Sequence, residues 1–209
     1  VYQSEPVNSL TWDGWELIYP DHEFYWDPLA ELRKTVVLKN DEEFTSSIGS
    51  LIDLKNVADL YIFYNLVLAY DNVGKNNFYA RYTDQSRFFI IPCDLDYTWG
   101  RKWERLNAGP AGMIQNMLYE RLIDNDVDEF RDLLEERWED YRKTIFHEDT
   151  LLASVNKYYN ELKKSGVIAR ENSRWEDVQI DLEYEYDYIT DWIEQRLLIL
   201  DNNFEEEQD

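Results

Sequence analysis

Basic residues are scarce in this chain. Twenty-one Lys and Arg stand against 44 Asp and Glu in 209 residues, a formal net charge of −23. Nucleic-acid binding relies on phosphate neutralisation by Lys and Arg, so this composition excludes it and disfavours anionic membranes. It favours cationic partners or basic substrates, and it serves solubility equally well. A single cysteine, Cys93, allows no internal disulfide. The two histidines, His22 and His147, are isolated, and no Cys/His cluster suggests a zinc site. The chain has no Gly-x-Ser-x-Gly elbow of a serine hydrolase and no acidic calcium loop ending in glycine. There are only seven glycines, and none form a Gly-x-Gly-x-x-Gly phosphate loop. No apolar run reaches the ~20 residues of a membrane span. Residues Val1 to Leu10 lack the basic and apolar regions of a signal peptide.

What is present is a pattern of oxygen donors. Asp71 and Asn76 are five residues apart, and Asp94 follows Asp71 by 23. The stretch before them, Val57 to Tyr70, is apolar nearly all round, which predicts a buried helix delivering Asp71 to the edge of the core. Phe78–Tyr82 and Arg87–Ile91 are aromatic and β-branched runs around the turn-type cluster Thr83-Asp84-Gln85-Ser86, which predicts a β-hairpin. Pro92 ends the second strand because it lacks the ladder donor. Asp94 and Asp96 emerge directly after it. Aspartate and asparagine are also common turn and cap residues, so the spacing by itself has a purely local explanation. In the predicted order of buried helix, acidic loop, hairpin and second acidic motif, the set matches a phosphoryl-transfer site of the protein-kinase type. There one Asp orients the hydroxyl nucleophile, while an Asn and a later Asp hold magnesium. Magnesium is a hard cation that takes carboxylates, phosphate and water. If Asp94 and Asp96 lie on a strand they face the same way, so both reach one metal. Asn77 replaces Asn76 if the loop is one residue out of register.

Elsewhere the pattern is mainly helical. Trp15–Tyr19 alternates like a strand. Asp41 caps a helix running to Ser50, and Met113–Ile123 reads as another. Three stripes at steps of three and four follow. The first is Val127, Phe130, Leu134, Trp138, Tyr141 and Ile145. The second is Leu151, Val155, Tyr158 or Tyr159, and Leu162, stopping at Ser165-Gly166. The third is Leu182, Tyr186, Ile189, Ile193, Leu197 and Leu200. Gly100–Gly112 reads as loop. The aromatics Trp12, Trp15, Tyr19, Phe24, Tyr25 and Trp26 are expected to pack on the lobe. Residues 171–209 hold 14 acids and two bases, and Glu205–Asp209 reads as a frayed acidic tail. The expectation is an α+β, mainly helical domain over residues 1–204 with one small hairpin.

The stretch Asp71-Asn72-Val73-Gly74-Lys75-Asn76-Asn77, followed by Ile91-Pro92-Cys93-Asp94-Leu95-Asp96-Tyr97-Thr98-Trp99-Gly100, closely resembles the hallmark of the spore-coat kinase family, CotH. Arg174-Trp175, Trp192, Arg196 and Leu200-Asp201 look like that family's closing pattern, so the resemblance runs from residue 15 to residue 204. It implies a protein-kinase-like C-terminal lobe that uses ATP and Mg²⁺ or Mn²⁺ to phosphorylate Ser or Thr on secreted or surface proteins. By the resemblance, Asp71 is the catalytic-loop Asp, Asn76 and Asp94 bind metal and nucleotide, and Asp96 is a further candidate ligand. Two departures stand out. Cys93 occupies a position where the family usually carries Trp, which reads as a buried substitution. The phosphate-covering loop and the strand Lys are not visible, so an N-terminal lobe is expected to precede Val1, with Trp15–Tyr19 leaving the hinge and Gly100–Gly112 as an activation-type segment. Two alternatives stand beside the kinase: an inactive binding or scaffolding module, and a calcium- or carbohydrate-binding surface protein.

Overall fold

Short-range pairing opens the fold. In the computed structural model, which describes residues 9–20, 24–102, 107–177 and 179–205, Thr11–Trp12 (β1) and Trp15–Glu16 (β2) pair antiparallel across Asp13 and Gly14, both at positive φ. The strand expected over Trp15–Tyr19 is therefore only two residues long. Of the six N-terminal aromatics, Trp12 and Trp26 are buried and meet edge to face. Tyr19, Phe24 and Tyr25 are exposed. His22 and residues 206–209 of the expected acidic tail lie outside the described residues.

Asp27–Val37 forms α1, with Pro28 in its first turn and Leu29, Leu32 and Thr35 buried. The sequence pattern did not predict it, because its buried stripe is narrow and includes a threonine. Asp41–Leu51 forms α2. Its cap is Asn40, which accepts from Glu43 N at 2.9 Å, one residue earlier than Asp41. Phe44 and Ile48 sit four apart on its fully buried face.

Leu54–Val67 forms α3, capped by the Asp53 carboxylate, which accepts from the amides of Lys55 and Asn56. The expected all-round burial holds. Ten of its 14 residues are buried, and it packs against later helices and a strand, which makes it the core helix. It stops earlier than the apolar run does. Leu68 adopts a left-handed φ of 49°, and Tyr70–Val73 is a 3₁₀ turn.

The predicted hairpin is present. Asn77–Ala80 (β3) pairs antiparallel with Phe89–Pro92 (β4), with Asn77 opposite Pro92 and Phe78 opposite Ile91. The turn is closed by Ser86, whose amide and hydroxyl donate to Thr83 O. The amide of Asn56 in α3 then fastens β4: its Nδ2 donates to Ile90 O at 3.1 Å and its Oδ1 accepts from Ile90 N at 2.6 Å.

Met117–Asp124 forms α4. It begins four residues after Met113 because Ile114 N donates to Asn65 Oδ1 and Asn116 caps the helix. Phe130–Arg142 (α5) buries Phe130, Leu134 and Trp138, whereas Ile145 is exposed and Phe146 takes its place in the core. Glu148–Ser165 (α6) ends at Gly166 as expected, at φ 66°. Of the expected stripe Leu151, Val155 and Tyr159, rather than Tyr158, are half-buried, whereas Leu162 is exposed. Val167–Arg174 (α7) was not predicted. Leu182–Glu205 (α8) buries Trp192, Ile193, Arg196, Leu197 and Leu200. Asp201 locks α8 to α5, since Arg142 Nε and Nη2 reach its carboxylate at 2.7 and 3.0 Å and Trp138 Nε1 at 3.1 Å. The fold is α+β and mainly helical, with α3 central against α5, α8 and β4 and with α6 along α8. Among the described residues no helix is long and apolar enough to cross a membrane.

Candidate active site

Ending α3 early is what creates the site. The left-handed residue Leu68 turns the chain, and the 3₁₀ turn then presents Asp71 half-buried at the rim of the core. Asp71 Oδ2 sits 2.7 Å from Lys75 Nζ and 3.4 Å from Asn76 Nδ2. Asn76 itself is at φ 57°, the left-handed conformation that Asn tolerates better than most residues.

Asn76 and Asn77 are engaged differently in the loop. Asn77 Nδ2 donates to Asn72 O and Lys75 O, each at 2.7 Å, and Asn77 Oδ1 accepts from the Tyr64 hydroxyl. These bonds occupy its side chain in fastening the loop to α3. Asn76 is the asparagine whose amide meets Asp71.

Asp94 arrives through the backbone. Beyond the last ladder pair, Cys93 N donates to Asn76 O at 2.9 Å. The chain then leaves strand geometry, with Asp94 at φ 53°. The condition under which Asp94 and Asp96 would share one strand face is not met, because β4 stops at Pro92. Both aspartates are exposed, and among the described residues neither makes a hydrogen bond or an ion pair. Cys93 is half-buried rather than buried.

The residue that joins these pieces is Asn72, which sequence reasoning passed over as part of a motif. It is 2% exposed. Its Nδ2 donates to Asn76 O at 3.0 Å and to Cys93 O at 2.8 Å, so one amide group holds the Asp71 loop against the Asp94 segment. The signal available in the sequence was a second Asn beside Asp71 in a turn, which is too common to single out.

The electrostatics point the same way. The Lys75 ammonium is held above its usual range, first by its hydrogen bond to Asp71 and then by the fields of Asp71, Asp94 and Asp96. Three carboxylates therefore act on one exposed cation. Among the described residues no three Asp, Glu, His or Cys side chains stand close enough together to hold a metal by themselves. The donor set still fits magnesium chemistry. It offers oxygen donors only, with two carboxylates unengaged, and magnesium takes one or two carboxylates and completes its shell with phosphate and water.

A second feature frames the site. Trp99 N donates to Val67 O at 2.7 Å, and Ala108 N to Gly100 O at 2.6 Å. The predicted loop from Gly100 to Gly112 has no helix among its described residues, yet its backbone is bonded at several points to α8. At its far end Asn116 Nδ2 donates to Val73 O at 3.4 Å, beside the turn that carries Asp71.

The family model described as CotH kinase protein matches residues 14–200 of the chain. No curated protein matches it.

Proposed function

The chain belongs to the CotH kinase family, and from that premise we propose that it carries out metal-dependent phosphoryl transfer from ATP to Ser or Thr hydroxyls of secreted or surface proteins. Asp71 orients the acceptor hydroxyl and takes its proton. Asn76 and Asp94 hold Mg²⁺ or Mn²⁺, with Asp96 as a further oxygen donor. The metal, when bound, neutralises the β- and γ-phosphate oxygens. The hydroxyl oxygen forms a bond to the γ-phosphorus while the bridge to the β-phosphate breaks, and ADP leaves. Lys75 holds the Asp71 carboxylate in place through its 2.7 Å ion pair. The net charge of −23 favours acceptors with basic flanks.

The observation that carries this reading is the pinning of two chain segments at one place. Asn76 touches Asp71, and the Cys93–Asn76 and Asn72–Cys93 bonds bring the backbone of Asp94 alongside.

The test is transfer of labelled phosphate from ATP by the full natural protein with Mg²⁺ or Mn²⁺, beside Asp71→Ala and Asp94→Asn. Label is expected on the protein or on a Ser-rich basic acceptor, with loss in both variants of at least about a hundredfold, the scale of a general base. Asp94→Asn is also expected to lose metal-dependent nucleotide binding while keeping its fold. Transfer that survives in both variants refutes the assignment. Absence of transfer and of nucleotide binding in the parent leaves a binding module.

A further inference from the structure

We propose that Tyr188, Trp192 and Arg196, four residues apart on one face of α8, are positioning residues that set where the acceptor polypeptide lies against Asp71, by clamping the described stretches 99–102 and 107–116 of one segment. This rests on the kinase reading above.

The contacts share one form: each runs from an α8 side chain to a backbone carbonyl of the segment. The Tyr188 hydroxyl donates to Gly100 O at 2.8 Å and lies 3.2 Å from Ala108 O. Trp192 Nε1 donates to the same Ala108 O at 3.1 Å. Arg196 Nη1 donates to Pro110 O at 2.6 Å and to Gly112 O at 2.7 Å. Steps of four residues align the three side chains along the helix. Because the acceptors are main-chain oxygens, the clamp sets the path of the segment and is indifferent to most of its side chains.

Arg196 is the telling member. It is fully buried, and among the described residues its hydrogen bonds go to carbonyls rather than to a carboxylate. Burial lowers its guanidinium to a pKa of about 10. A buried charge without a counter-ion is an expensive way to stabilise a core. Its fork geometry does something an apolar residue cannot, since it spans two chain segments at once. Nε and Nη2 grip Asn65 O in α3 at 2.8 and 2.6 Å, and Asn65 Oδ1 in turn accepts from Ile114 N at 2.7 Å. The segment is thereby tied to the same core helix that delivers Asp71.

The far end of the segment explains why its position matters. A Cβ at Gly112 would lie 3.2 Å from the Tyr70 hydroxyl, and Asn116 bonds Val73 O. Residues 112–116 therefore pack beside the Tyr70–Val73 turn that carries Asp71, and in this proposal they wall the acceptor hydroxyl's approach. The opposite end begins three residues after Asp96. Slack in the clamp displaces the acceptor's wall while Asn72 and Asn76 keep their own bonds.

The experiment uses the full natural protein with Tyr188→Phe, which removes one oxygen, the double variant Tyr188→Phe/Trp192→Phe, and Arg196→Lys, which keeps the charge and loses the fork. Amide exchange at Ala108 and Ile114 reports the clamp, and steady-state kinetics with a basic Ser peptide report its use. The double variant and Arg196→Lys are expected to exchange faster at these amides. Their KM for the peptide should rise about tenfold, the scale of one or two hydrogen bonds, with KM for ATP within about twofold. Unchanged peptide kinetics despite faster exchange would overturn the proposal, as would equal losses for peptide and ATP or unchanged exchange. A wild type that transfers phosphate while the variants match it removes this proposal alone. A wild type that neither binds nucleotide nor transfers phosphate removes the kinase reading and this proposal with it.

Discussion

Replacing Asn72 with alanine removes a single amide group from beneath the site, and the structure sets the scale of the loss. Two hydrogen bonds disappear, to Asn76 O at 3.0 Å and to Cys93 O at 2.8 Å. Asn76 O keeps its bond from Cys93 N. Cys93 O loses its Asn72 partner in a half-buried setting. At about 0.5–1.5 kcal/mol per hydrogen bond, with a further desolvation penalty for the orphaned carbonyl that water relieves in part, the expected loss is about 2–4 kcal/mol. The backbone bonds of Asn72 survive, to Ala69 O and from Asn77 Nδ2, so the turn itself persists. Asn72→Asp is the sharper control. It preserves shape but presents a carboxylate oxygen to two carbonyl oxygens and adds a charge beside Asp71, so it should be less stable than the alanine variant. Urea unfolding followed by tryptophan fluorescence measures both, with an unchanged m-value expected. A loss below ~0.5 kcal/mol for alanine, or an aspartate variant as stable as wild type, would refute the claim that this amide joins the two segments. If the claim is right, metal-dependent nucleotide affinity falls in Asn72→Ala by about tenfold although no proposed ligand is touched.

Two further perturbations test other parts of the fold. Gly100 is at φ 76°, and a Cβ there would fall inside contact distance of Trp192 Nε1 and the Tyr188 hydroxyl; Gly100→Ala should cost about 2–5 kcal/mol from strain plus overpacking, and a melting temperature within ~2 °C of wild type would contradict that crowding. Burial pushes the Tyr79 phenol up to about 12 and raises Tyr64 and Tyr119 as well. The unfolded chain ionises these phenols near 10 while the folded chain keeps their protons. Stability should therefore hold below pH ~10 and fall as pH rises beyond it, by up to about 1.4 kcal/mol per pH unit for each phenol. Equal urea midpoints at about pH 9 and pH 11 would show that these phenols are not buried.

Local pattern revealed those parts of the molecule whose causes are local. The hairpin follows from two β-branched and aromatic runs around Thr83–Ser86, and α3 follows from an apolar surface with no polar face to turn outward. The face of α8 bearing Ile193, Leu197 and Leu200 was legible from helical spacing. Short helices with few apolar residues and none buried, such as α7, were not. Nor was the start of α4, which is set by Ile114 bonding Asn65, 49 residues away. The candidate residues Asp71, Asn76, Asp94 and Asp96 were all named from spacing and resemblance. Asp94 and Asp96 do not lie on a strand, because β4 ends at Pro92 and the chain turns left-handed at Asp94.

The sequence alone determined which residues carry oxygen donors, in what order, and on which side of a hairpin. Periodicity and turn chemistry act over a few residues and leave their mark there. Only the tertiary structure decided that Asn77 fastens the loop to α3 while Asn76 meets Asp71, that Asn72 joins two segments 21 residues apart, and that Arg196 grips carbonyls 84 to 131 residues earlier in the chain. Those choices depend on which backbone oxygens are left unpaired when helices and hairpin pack together. A buried carbonyl must find a donor wherever the packing brings one, and no local spacing records where that will be.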